Sequence, residues 1–336
     1  MSGFGDGVYD TQGRPVGGLF ATGQTFFVRP STGSDTKNRG HSPRRAFKTL
    51  AQALSQATAN HGDVVYLIAE SNTGSGTTDY QSAVLNWNKD GVHLVGVNGG
   101  SFLGQRARIS NLSTAASFAN LFTLSANNCF ISGIEFFQGA GSNTLSAAQT
   151  CVSVTGQRNH FKNCQISGMG DTTLDYAGSN SLSIGAGSAK DASENYFEDC
   201  YIGLDTVIRA TSVTEVVINY TPSAGEKGSG RNIFNRCHFE TYTSGSTFKM
   251  VTVDADTDRF VKFKDCEFHA QQNITSAVAP TGAIGITTMN GEVLLVNPFL
   301  YGFANYVTAT NAYVQVLAPS GSTTSDVVGV AKSVTV

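Results

Sequence analysis

The chain's best acid and base candidates occupy one position of a repeated string: Gln165, Tyr201, His238 and Glu267 each follow the cysteine of a Phe-x-x-Cys motif. A neutral imidazole accepts a proton near pH 7 and a neighbouring carboxylate fixes its tautomer. His238 beside Glu267, with Tyr201 one repeat below, therefore has the composition of an acid–base site. The residue before each cysteine gives a second column, Asn163, Asp199, Arg236 and Asp265. An arginine between two aspartates favours ionised carboxylates, which suits a salt-bridge ladder better than a general acid. Two repeats apart, at roughly 10 Å, Asp199 and Asp265 also stand at or beyond the separation that inverting glycosidases use. A third stretch, Asp254, Asp256 and Asp258, sets three carboxylates on one side of an extended chain, a donor set that suits Ca²⁺. Arg259 stands where the EF-hand pattern requires glycine, so the stretch is read as a solvated turn.

These positions matter only if the repeats hold them in register. The unit Phe-x-x-Cys-x-[Ile/Phe] recurs as Phe161, Cys164, Ile166; Phe197, Cys200, Ile202; Phe234, Cys237, Phe239; and Phe263, Cys266, Phe268. Looser copies are Ile131, Ile134, Phe136 before them, Leu295, Pro298, Leu300 after them, and Leu94, Val97, Gly99 earlier still. From Ile134 to Pro298 the fourth positions are spaced 30, 36, 37, 29 and 32 residues apart. Self-similarity at such a period marks a solenoid. The segments are short, alternating and rich in Val, Ile, Phe and Thr, and each is preceded by another apolar run, such as CVSVT at 151–155 or KMVTV at 249–253. Two or more strands per period with no helix between them predict one coil of a parallel β-helix, each coil stacked about 4.8 Å above the last. The phenylalanines and cysteines then form internal columns. Asn159, Asn195 and Asn232 form an asparagine ladder, external or at a corner, where asparagine tolerates the left-handed conformation. Gly/Ser-rich insertions at 173–181 and 221–230 are read as corner loops.

Composition agrees with this. Charged residues are 14% of 336 and glycine contributes 37, a β-rich and turn-rich profile. A net charge of −3 without a basic block leaves no electrostatic footprint for a nucleic acid. The opening MSGFGDGVYD has neither a basic nor an apolar signal region, and no run of 18 apolar residues occurs. The six cysteines include no C-x-x-C pair and are read as free buried thiols. An open coil end needs a cap, and SPRRAFKTLAQALSQAT supplies one: a helix with Ser42 as N-cap, Pro43 at its first position, and Phe47, Leu50, Ala51, Leu54 and Ala57 on one face.

The string TFFVRPSTGSDTKNRGHSPRRAFKTLAQAL at 25–54, followed by GDVVYLIA at 62–69, resembles the entry to right-handed parallel β-helix proteins of the pectin-lyase-like superfamily. The resemblance implies an all-β, single-stranded right-handed parallel β-helix with an N-terminal capping α-helix. It divides the chain into an extended arm at 1–25, an entry strand and capping helix at 26–62, the β-helix at 63–306, and C-terminal strands and tail at 307–336. Many such proteins are bacteriophage virion components, commonly homotrimers, and others are polysaccharide lyases or hydrolases. The paired aspartates of polygalacturonases are absent here. With few clustered outward carboxylates, and Trp87 outside the repeats, the expectation is a non-enzymatic virion protein. It is assembled in the host cytoplasm and docks on the major capsid protein to decorate or stabilise the capsid. No catalytic, cofactor-binding or metal residue is assigned, no cofactor is called for, and neither nucleic acid nor membrane is a partner. The alternative is a tailspike or tail-fibre depolymerase acting on host surface polysaccharide.

Overall fold

The computed structural model describes residues 22–69, 78–97, 107–111, 119–139, 147–172, 175–185, 192–218, 229–254, 257–271, 277–286, 291–307, 314–317 and 332–333. Each repeat folds into one coil of three strands. In the coil that carries the first clear motif these are Thr150–Val154, His160–Lys162 and Gln165–Ser167. The next coils place Asn180–Ile184, Tyr196–Glu198 and Tyr201–Arg209, then Thr214–Ile218, Asn232–Asn235 and His238–Thr243, then Lys249–Val253, Phe260–Lys264 and Glu267–Ala270. Like strands of successive coils pair in parallel and build three long sheets, one of eleven strands and two of eight. In chain order, the strand of the eleven-stranded first sheet carries the phenylalanine, the strand of the second sheet follows the cysteine, and the third sheet closes the coil. This is the right-handed parallel β-helix that the repeats predict.

Stacking explains what the repeats keep. Phe161, Phe197, Phe234 and Phe263 are fully buried, in register, and stacked with centroids 4.8, 4.7 and 4.9 Å apart and interplanar angles of 12° or less. Such offset-parallel pairs contribute beyond the area they bury. Cys164, Cys200, Cys237 and Cys266 form the buried thiol column, each Sγ–H donating to a carbonyl one coil back, as in Cys237 to Phe197 at 3.4 Å. Burial disfavours the thiolate and pushes the Cys164, Cys200 and Cys237 thiols up; the Cys129 thiol rises to about 12.

The asparagine ladder lies at a corner but faces inward. Asn159, Asn195 and Asn232 are buried; the Asn195 Oδ1 accepts the Asn159 N–H and the Asn232 Oδ1 accepts the Asn195 N–H, both at 3.0 Å. Their amide nitrogens donate to Ala126, Gly156 and Ala192 carbonyls, so the ladder is a hydrogen-bonded spine along the corner. Left-handed residues include their neighbours Arg158, Glu194 and Arg231, the column before each cysteine, Asn163, Asp199, Arg236 and Asp265, and Asn297 before Pro298; these last five have φ between 49° and 52°. One left-handed residue turns the chain from the first sheet into the second. Its N–H bonds to the coil above, as Arg236 does to Lys264 at 2.9 Å. Arg236 shows that the turn is set by the stack and not by residue type.

The cap departs from its sequence reading. Pro43–Arg45 is a 3₁₀ turn, Ala46 is extended, and the α-helix spans Leu50–Gln56 with Thr49 as N-cap, its side chain accepting the Gln52 N–H. Phe47 is withdrawn from the helix because its backbone bonds to Phe27 and Arg29 of the entry strand Thr25–Val28. Asp35 holds the Lys48 and Thr49 N–H groups and so fixes the later start. Leu50, Ala53 and Leu54 are the buried helical face, and Ala51 is exposed. Trp87 lies inside the β-helix, its Nε1–H donating to the Val92 carbonyl. Leu94 joins the phenylalanine column and Val97 ends the same first-sheet strand, His93–Val97; Gly99 lies outside the described residues, and the second-sheet strand of this coil is Ala107–Asn111. The first sheet runs from Thr25–Val28 to Val314–Leu317, and Lys332–Ser333 pairs antiparallel with that last strand. Residues 1–21 of the arm and 318–331 of the tail lie outside the described residues.

Candidate functional site

The outward positions of the second sheet form two columns, because alternate residues of a strand face the same side. One column runs Gln165, Tyr201, His238, Glu267, Phe299, and beside it runs Glu240, His269, Tyr301. The strand sequences that make them, His238-Phe239-Glu240 and Glu267-Phe268-His269, are mirror images. Stacked in register, they put His238 over Glu267 and Glu240 over His269, with Phe239 and Phe268 stacked inside at 5.0 Å. Four titratable groups thus meet on two rungs.

Their geometry is specific. His238 Nδ1 lies 2.8 Å from the Glu267 carboxylate, which can only accept, so Nδ1 carries a proton and the ring is held with its Nε2 turned the other way. That Nε2 faces Glu240 at 3.6 Å, and His269 Nδ1 faces the other Glu240 oxygen at 3.4 Å. Tyr201 stacks under His238 at 4.9 Å and 25°, and Tyr301 meets His269 edge-on at 4.7 Å, so both imidazoles are held by aromatic neighbours. Glu240 is 7% exposed, and burial raises its carboxyl above the usual range. Burial lowers His269, which favours neutral imidazole at pH 7. Glu267, by contrast, opens to solvent.

Around the quartet lies an open trough of about 410 Å³, lined by His238, Glu267, His269, Gln271, Phe299 and Tyr301. Phe299 is 58% and Tyr301 49% exposed, among the few large apolar side chains on the described surface. His238, Glu240 and His269 each bring a ligand atom within 4.8 Å of the others, a set able to hold a metal ion.

Of the residues singled out from the sequence, Tyr201, His238 and Glu267 do come together. Glu240, His269, Phe299 and Tyr301 went unrecognised. The mirrored HFE and EFH strings were the available signal, since a two-residue step along a strand returns to the same face. The column before the cysteines is a salt-bridged ladder: Arg236 bonds Asp199 at 2.7 Å and Glu198 at 2.7 Å, and Lys162 joins Glu198 at 3.1 Å. Burial pushes Glu198 up, but Arg236 and Lys162 outweigh it and hold the carboxyl below its ordinary value. Of the three aspartates considered for Ca²⁺, Asp256 lies outside the described residues. Asp258 accepts its neighbour Arg259's N–H at 2.8 Å and pairs with that guanidinium.

A buried pair also escaped the sequence. Arg209 and Glu215, both fully buried, bond at 2.8 Å inside the coil; the guanidinium also donates to the Gly168 and Met169 carbonyls, and Glu215 accepts from Ser181. The pair is satisfied on every side and braces the long strand Tyr201–Arg209 against Thr214–Ile218.

No protein-family model and no curated protein matches this chain. Solved structures do. A rhamnogalacturonan lyase superposes with a TM-score of 0.57 at 19% identity, covering 83% of this chain and 68% of its own. A pectate lyase superposes with a TM-score of 0.57 at 15% identity, covering 89% of this chain and 70% of its own. At these identities the likeness shows the fold alone: a right-handed parallel β-helix. The expectation that the chain is not an enzyme is corrected here. The solved structures that share its fold are enzymes by name. The ground for that expectation, an exterior without clustered acid–base groups or exposed aromatics, also fails at the second sheet.

Proposed function

We propose that this chain cleaves a polysaccharide in the trough of the second sheet. The observation that carries the reading is the quartet His238, Glu240, Glu267 and His269, with exposed Phe299 and Tyr301 on the next rung of the same face. A sugar chain is extended, with apolar ring faces and polar edges; exposed aromatics beside convergent acid–base groups suit it. Glu267 is the proton acceptor: one oxygen is held by the His238 Nδ1–H and the carboxylate opens to the trough. The names of the two fold neighbours, both lyases of polysaccharides, support the substrate class.

The same reading takes the protein to be a homotrimeric depolymerase mounted on a bacteriophage particle, with host surface polysaccharide as substrate and other virion proteins, the major capsid protein included, as its docking partners. What supports this part is the resemblance over 25–54 and 62–69. Purified protein incubated with capsular polysaccharide, lipopolysaccharide, pectate and rhamnogalacturonan should shorten at least one of them, read as oligosaccharide release by size-exclusion chromatography. Glu267→Gln should lower the rate about 10²-fold or more, the usual range for a lost general base. No shortening of any polymer, or full activity in Glu267→Gln, overturns the reading.

A further inference from the structure

We infer that His238 Nε2, Glu240 and His269 Nδ1 form a binding site for one divalent transition-metal ion of the zinc type. The inference rests on the second sheet being the working face only for its biological sense; the site itself stands on geometry.

Three observations converge. First, the spacing fits. Zinc bonds nitrogen and oxygen at about 2.0–2.2 Å, so tetrahedral ligand atoms lie about 3.4 Å apart. The two imidazole nitrogens stand 3.6 and 3.4 Å from the Glu240 oxygens, and all three donors fall within 4.8 Å. Second, the ring that must ligate is already prepared. The Glu267 carboxylate accepts a hydrogen bond from His238 Nδ1–H at 2.8 Å, which aims Nε2 at Glu240, the arrangement by which an outer carboxylate orients a metal-bound histidine. Tyr201 and Tyr301 hold the two imidazoles by ring contact. Third, no lysine or arginine among the described residues occupies the place a cation would take beside Glu240. Glu240 is 7% exposed, and among the described residues its ion-pair partners are the two imidazoles alone. A buried carboxylate is retained when a cation or metal compensates it.

Two nitrogens and one carboxylate oxygen form a borderline donor set, which selects zinc-type ions over Ca²⁺, a cation that takes six or more oxygens. Three protein ligands leave a fourth position, and the trough gives it access to water or a sugar oxygen beside Glu267. Since the ligands come from two successive coils, the ion would also bridge them.

The test uses the full chain, stripped with chelator and dialysed against Zn²⁺, with bound metal counted by mass spectrometry. One zinc per chain is expected, with Co²⁺ giving the intense visible bands of a four-coordinate site and excess Ca²⁺ displacing neither. Glu240→Gln and His269→Ala should abolish that zinc. Glu267→Gln, which leaves the three ligands in place, should weaken binding about 10–100-fold. Unchanged far-UV circular dichroism and melting of the chelated variants would confirm that the coils persist. Stoichiometry that stays at one in both ligand variants, or no zinc bound at millimolar concentration, overturns the inference. Polysaccharide cleavage by a chain that binds no zinc would defeat this site while sparing the proposed activity; zinc bound without cleavage of any polymer would do the opposite.

Discussion

Two columns climb the same coils a few residues apart and obey opposite rules. Inside, Phe161, Phe197, Phe234 and Phe263 repeat one residue four times and stack ring on ring. Outside, Gln165, Tyr201, His238, Glu267 and Phe299 change at every rung. The interior column is constrained because each ring packs against its own copy above and below, and any other shape leaves a void. The exterior column faces water, so packing does not dictate it and differing neighbours can meet. In a β-helix a repeated letter therefore marks architecture, and chemistry is to be sought where the register holds and the letters differ.

The largest effect should come from inside. Phe197→Ala should destabilise the fold by about 3–5 kcal/mol, measured by urea unfolding, while Glu267→Ala on the exterior should stay within about 0.5 kcal/mol. Equal losses would erase the contrast between the columns.

A buried charge sharpens it next. Asp79, almost fully buried at the second-sheet strand Thr78–Gln81, accepts the Leu50 N–H of the cap helix at 3.2 Å and the Gln81 amide at 2.8 Å. Burial lifts its carboxyl to about 7, from an ordinary 3.8. The folded state then binds the proton more tightly than the unfolded one. The contribution is full below about pH 4 and is lost as pH rises through about 7, a span worth about 4 kcal/mol. Asp79→Asn should flatten that slope in unfolding curves taken between pH 4 and pH 8, whereas depressed carboxylates such as Glu198 contribute a slope of the opposite sign at lower pH. An unchanged slope in Asp79→Asn would show that the first coil is open to water.

The smallest effect is expected at the exposed ladder. Arg236→Ala removes bonds to Asp199 and Glu198, yet exposed ion pairs are screened, so the unfolding midpoint should barely move and the difference should vanish in high salt. A loss comparable to that of Phe197→Ala would make the exterior structural and defeat the distinction.

The sequence by itself determined the coil. Spacing of Phe, Cys and Ile gave the period, and the period gave parallel stacking, the buried thiols and the aromatic column, because like side chains stacked at a fixed rise must recur. It also placed Tyr201, His238 and Glu267 on one outer line. Only the tertiary structure decided what lay beside that line. Glu240 and His269 each stand three residues after an aligned cysteine and so share the register of that line; what folding decided is that Glu240 sinks out of solvent and that both imidazoles turn toward it. Likewise, the asparagines turned inward because buried corner N–H groups need acceptors, and the cap helix began at Leu50 because Phe47 was claimed by a backbone bridge to the entry strand. Arg209 and Glu215 read as ordinary strand residues until folding closed one coil around both. Periodic packing is a local rule written once per repeat, whereas pairing between coils is set by the whole stack.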